Sequence, residues 1–364
     1  MFLGGVPIKK VAVMSVLEAN RYMRIVAPEQ AETVEEAQVP TPADDGVVVD
    51  IRYCGICATD THGYSSAALP PAVFGHEWTG TVTAVGRDVT TIAVGQRVVG
   101  GVGPACGRCP QCTAGHAAQC DLAFAEANGI TDDAPAHGGF GTTLSVSARR
   151  VIPVPDVLTD EEAALVEPAT VTFHAVKRTA MTLGSTVVVQ GAGPIGLLTA
   201  QHARNAGAGR VIVSEPSPHR REQAVKLGFT DVVEPADLNR VLREATNGLG
   251  ADVLFECTGV ASLLQPSAEL VRRGGILSLL GYPGTDSQVS YGDWQSRELT
   301  VIGSLAYSHE DFVGSMTAIA EKRIDVLSLH TGTIGLDGLT AMFDELDSGK
   351  SVHAKVLVDP RQTL

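Results

Sequence analysis

The stretch VVVQGAGPIG, residues 187–196, runs a β-branched strand straight into a glycine-spaced turn. Gly191, Gly193 and Gly196 follow the G-x-G-x-x-G pattern, and a helix-forming run continues to Asn205. The first glycine permits a tight turn, the second lets backbone approach a pyrophosphate, and the third lets helix and strand pack closely. Pro194 and Ile195 open the helix, where a missing proline N–H costs little. The free N–H groups and partial positive charge at that helix end favour phosphate. RVIVSE (210–215) reads as the next strand and closes on Glu215, whose carboxylate can accept from both ribose hydroxyls and would repel a 2′-phosphate. The turn therefore reads as a dinucleotide site that prefers NAD to NADP. Arg220 and Arg221 follow; either could reach a phosphate if Glu215 turned away, and otherwise they form a solvated helix face. Thr258 and Gly281 end later strands, where the same cofactor would lie, or they are ordinary loop residues.

Outward from this turn, DVVE, ADVLFECTG, ILSLLGY and LTVIGSLA supply further strands, most with helical segments between them. Such alternation predicts a parallel, doubly wound sheet. Before Thr159 the texture differs: GVVVDIRY, TGTVTAV, QRVVGGV and GTTLSVSARRVIPV alternate β-branched and polar residues, as antiparallel strands do. A chain of 364 residues is expected to hold two domains. With 44% hydrophobic and 19% charged residues it is globular. A net charge of −14 without any basic block argues against nucleic acid as a partner. The N-terminal stretch resembles no signal peptide, and nothing approaches the roughly 18 apolar residues of a membrane span. The expectation is a soluble cytoplasmic protein, in which seven cysteines serve metal or chemistry before disulfides.

CGRCPQCTAGHAAQC places Cys106, Cys109, Cys112 and Cys120 at spacings that let one loop wrap a tetrahedral ion. Four thiolates leave no open position, which suits structural zinc. An iron–sulfur cluster also uses four cysteines, but it would need an electron route the chain does not advertise. His116 is surplus to that ligand set and reads as a surface residue. Cys54 and Cys257 read as small buried hydrophobes ending strands.

GICATDTH (55–62), FGHEWTGTVTAVG (74–86) and the four-cysteine lobe, all preceding the glycine turn, together resemble the zinc-dependent medium-chain alcohol dehydrogenases. The resemblance spans essentially the whole chain. It implies that Cys57 and His76 bind a catalytic zinc. The third ligand falls in LVEPATVTFHAV, where the alcohol dehydrogenase branch has cysteine and this chain has Glu167, as in the polyol, threonine and butanediol branch. Glu77 is implied as a neighbouring or exchanging ligand. Thr59 would pass the substrate proton through the cofactor ribose to His62 at the surface, and Asp60 would orient the ligand histidine. His174 is expected to pack beside the cofactor, and Tyr64, Phe74 and the loop around His137 are candidate pocket residues.

The fold so implied is a Rossmann domain over residues 161–304 inserted in a GroES-like, mainly β catalytic domain. That catalytic domain would comprise residues 1–160, with the zinc lobe at about 100–122, and the returning tail 305–364. Two zinc ions, NAD, a small alcohol or ketone substrate and a homodimer or homotetramer are expected. The competing readings are a zinc-independent enone or quinone reductase and a non-catalytic nucleotide-binding protein.

Overall fold

The computed structural model describes residues 19–66, 73–101, 105–116, 119–122 and 138–362. His137 lies outside them. In chain order, β1 (Asn20–Ala27) and β2 (Gln30–Glu36) form a hairpin, followed by β3 (Gly46–Gly55), α1 (Ala58–Ser66), β4 (Glu77–Val85) and β5 (Arg97–Gly100). A short α2 (Pro110–Thr113), β6 (Thr143–Ser147), β7 (Val151–Pro153), α3 (Asp160–Ala164) and α4 (Val166–Thr179) lead to the alternating half. There β8 (Thr186–Gln190), α5 (Pro194–Asn205), β9 (Arg210–Ser214), α6 (Pro218–Lys226), β10 (Asp231–Val233) and α7 (Pro235–Ala245) precede β11 (Ala251–Glu256). Next come α8 (Leu264–Leu270), β12 (Val271–Leu279), α9 (Tyr291–Ser296) and β13 (Thr300–Gly303). The chain closes with α10 (His309–Ala320), β14 (His330–Ile334), α11 (Leu339–Asp347) and β15 (Lys355–Val358).

Six strands form one parallel sheet in the order β10-β9-β8-β11-β12-β13. The strand order reverses between β8 and β11, and the crevice outside their carboxyl ends is where such sheets take a dinucleotide. Val187, Val188 and Val189 are fully buried because helices cover both faces. One face packs Val187 and Val189 with Leu197, Phe312 and Ile319; the other packs Val188 with Leu238, Leu242 and Leu254.

The second sheet runs β14-β15-β3-β4-β5-β7, with β6 also on β3. Its core joins Val47, Val49 and Ile51, alternate residues of β3, with Trp78 of β4, Phe140 of the loop before β6 and Phe343 of α11. The tail divides between the layers. β14 and β15 join this second sheet, whereas α10 packs on α4 against the parallel sheet's core. Among the described residues no helix is long and apolar enough to cross a membrane.

Candidate active site

Three strand ends and one helix start converge on Cys57. It follows β3 by two residues and precedes α1, whose first turn carries Asp60. One Asp60 oxygen accepts the Cys57 N–H at 2.9 Å; the other accepts the Gly75 N–H at 3.3 Å and stands 3.7 Å from His76 Nδ1. A single buried carboxylate thus ties together the two loops that carry Cys57 and His76. Gly75 is left-handed at φ +95°, and a Cβ there would lie 2.6 Å from Cys54 Sγ, so only glycine lets the His76 loop close over the strand.

The β3–β4 register sets Glu77 opposite Gly55, and the side-chain donors of Cys57, His76 and Glu77 lie within 4.8 Å of one another. This compact group contains Glu77, one of the two carboxylates that the sequence offers as a ligand beside Cys57 and His76. Glu167, in the first turn of α4, is only 4% exposed and faces the same cluster. Lys355, the first residue of β15 and 4% exposed, reaches both carboxylate oxygens of Glu77 and donates to the Ile56 carbonyl at 2.9 Å. No sequence motif marks Lys355, because its partner is 278 residues away.

The electrostatics show a shortage of positive charge. Burial pushes the Glu167 carboxyl up to about 7, with Glu77 adding to the rise and His76 opposing it. Burial opposes protonation of His76, but Asp60, Cys57 and Glu167 outweigh it and hold the imidazole well above its ordinary value. A dication supplies what this cluster lacks. Thiolate, imidazole and carboxylate are zinc donors, and three of them leave the fourth position open, so the residues fit a catalytic zinc. Thr59 and His62, on α1, are both exposed.

The four lobe cysteines also gather their donor atoms within 4.8 Å. Cys106 and Cys112 sulfurs are 3.9 Å apart, as are those of Cys109 and Cys120. Four thiolates about 2.3 Å from a tetrahedral zinc stand about 3.8 Å from each other. Backbone N–H groups of Arg108 and Cys109 point at Cys106 Sγ, and that of Cys106 at Cys120 Sγ, as suits thiolates. All seven cysteines are free thiols, and His116 is exposed.

On the parallel sheet, Gly191 turns at φ +93° and Gly193 caps α5, with Pro194 and Ile195 in its first turn. A Cβ on Gly196 would sit 1.8 Å from the Gly191 carbonyl oxygen, whereas one on Gly193 would meet nothing within 4 Å. The open space at Gly193 belongs to a cavity of about 650 Å³ also lined by Gly191, Glu215, Arg220 and Thr258. Glu215 accepts the Ala192 N–H at 2.7 Å and the Ser217 N–H at 2.9 Å, bracing the turn. Arg221 turns away to Glu234, leaving Arg220 in the cleft. Gly281 packs against the Gly259 backbone beside this crevice. Tyr64 is a core residue that packs on Phe343 and donates to the Glu29 carbonyl; Phe74 covers Gly63. His174 bonds Asp311 at 2.6 Å.

Comparison with known proteins agrees with this geometry. Residues 43–156 match the alcohol dehydrogenase GroES-like domain, and residues 194–321 match the zinc-binding dehydrogenase family. The chain is 31% identical to sorbitol dehydrogenase of Bacillus subtilis, over 90% of its own length and 94% of that protein. It is 32% identical to (R,R)-butanediol dehydrogenase of Saccharomyces cerevisiae, over 88% and 94%. A zinc-binding dehydrogenase of Sinorhizobium meliloti, solved with NADP, superposes with a TM-score of 0.84 at 30% identity, covering 94% of this chain and 99% of that one. Relatives of this kind leave no place for the zinc-independent or non-catalytic readings. The chain belongs to the zinc-dependent medium-chain alcohol dehydrogenase family and is an NAD(P)-dependent dehydrogenase.

Proposed function

We propose that this enzyme moves a hydride between NAD and a secondary hydroxyl of a polyol, diol or related hydroxy compound. The observation that carries the reading is the compact Cys57–His76–Glu77 group with Glu167 facing it. Cys57, His76 and Glu77 hold the catalytic zinc, and Glu167 faces its open position. Zinc bound there supplies the charge that acidifies a coordinated hydroxyl. Asp60 steadies His76 by its charge, 3.7 Å from Nδ1, and by holding the Gly75 N–H next to it. Thr59 receives the substrate proton and His62, exposed on the same helix, releases it to solvent. The four lobe cysteines hold the second zinc.

Sorbitol and butanediol dehydrogenases among the relatives support a polyol or diol substrate. Glu215 at the ribose end supports NAD, although Arg220 lines the same cleft. We assign residues 161–304 to the cofactor domain and 1–160 with 305–364 to the catalytic domain, α10 being the part of that tail that docks on the cofactor domain, in a homodimer or homotetramer working in the cytoplasm. The test is an assay of NADH and NADPH formation against polyols, diols, secondary alcohols and hydroxy amino acids. Turnover of a polyol or diol with at least tenfold preference for NAD is expected. Turnover confined to primary alcohols, or to NADP, would refute it.

A further inference from the structure

Tyr307 lies outside the sequence motifs, yet several constraints fix it beside Glu167. It follows Ala306, which takes a left-handed φ of +54°, uncommon for a residue with a side chain. It precedes Ser308, which caps α10 in a reciprocal capping box with Asp311. The Asp311 carboxylate accepts the Ser308 N–H at 2.9 Å and hydroxyl at 2.8 Å, meets His174 Nδ1 at 2.6 Å and accepts from Lys177 at 2.9 Å. His174 and Lys177 belong to α4, the helix whose first turn carries Glu167. The start of α10 is therefore clasped to the helix that holds the carboxylate. Tyr307 also packs edge-on against buried Phe312, with ring centroids 5.4 Å apart. This apolar contact across a helix cap sets the angle at which the chain enters.

At its far end the Tyr307 hydroxyl donates to the Glu167 carboxylate. It can do so because residue 101 is glycine. A Cβ there would lie 2.1 Å from the hydroxyl oxygen and 3.0 Å from Glu167 Cγ. A glutamate side chain on a helix has several rotamers, and a fixed donor beside its carboxylate selects among them.

We propose that Tyr307 is a positioning residue for the reaction: its hydroxyl, held by the helix cap, aims Glu167 at the open position of the metal site. This rests on the proposed place of Glu167 at that site. Removing such a supporting hydrogen bond lowers activity about 10- to 100-fold.

The test compares Tyr307→Phe, Glu167→Gln and the double variant, each with cobalt in the catalytic site, by visible spectrum and by kcat and KM. Tyr307→Phe is expected to shift the cobalt band and lower kcat about tenfold or more, leaving the KM for NAD and the melting temperature near wild type. Added to Glu167→Gln, it should change neither spectrum nor kcat further. Gly101→Ala, which displaces the hydroxyl without deleting it, is the second probe and should reproduce the Tyr307→Phe spectrum. A Glu167→Gln enzyme with wild-type spectrum and kcat overturns the placing of Glu167 itself. An altered Glu167→Gln enzyme beside an unaltered Tyr307→Phe enzyme overturns the role of Tyr307 alone.

Discussion

Lys355 brings an ammonium to the anions of the candidate metal site. Cys57 thiolate, Asp60, Glu77 and Glu167 can bring four negative charges, of which a zinc dication and Lys355 would offset three. The Glu77–Lys355 pair is buried at both ends, so removing the lysine would leave a carboxylate without water or counter-ion. Lys355→Met is expected to destabilise the zinc-free protein by about 3–5 kcal/mol, read as a fall in the urea midpoint. A change below about 1 kcal/mol would show that something else neutralises Glu77. The difference between Lys355 and Cys57 also explains what the sequence reveals at this scale. Cys57, Thr59, Asp60 and His62 fall within one short segment and His76-Glu77 are adjacent, so local spacing exposes them. Lys355 and Tyr307 reach the site through sheet pairing and helix capping across hundreds of residues, and neither leaves a local pattern. Glu167 stood out through its motif, but which of the two carboxylates sits closest to Cys57 and His76 depended on the β3–β4 register.

The strand–turn–helix from β8 to α5 separates a glycine packed into the fold from one that borders open space. Gly196 has the Gly191 carbonyl where its Cβ would be, whereas the space beside Gly193 opens into the cofactor cleft. Gly193→Ala is expected to keep the wild-type melting temperature and weaken NAD binding at least about tenfold, since the pyrophosphate needs that approach. Gly196→Ala should lower the melting temperature as well, because helix and turn must separate. Calorimetric titration and thermal melts distinguish the two; equal losses of stability would contradict the division. This element was legible because turn chemistry and helix start are encoded within ten residues. The tail was less so: a helical run and a closing strand are visible, but α10 stacks on the parallel sheet while β14 and β15 pair into the other. Partner choice of that kind is set by the whole packing arrangement.

For the molecule as a whole, one sheet brings the cleft beside the glycine turn and the other brings Cys57, His76 and Glu77. α4 links them, carrying Glu167 at its start and packing on α5, which begins at the glycine turn. The proposed chemistry needs both parts, and the four lobe cysteines form a second group able to hold a metal ion. Cys57→Ser removes one proposed zinc donor while leaving the cleft at the glycine turn and the lobe intact. Metal analysis and NADH formation should be measured together on wild type and variant. The expected result is two zinc ions per chain in wild type and one in the variant, with unchanged NAD binding and turnover lower by about 10³-fold or more, the several kcal/mol that metal charge contributes. A Cys57→Ser protein that kept two zinc ions per chain and its turnover would show that Cys57 holds no catalytic metal.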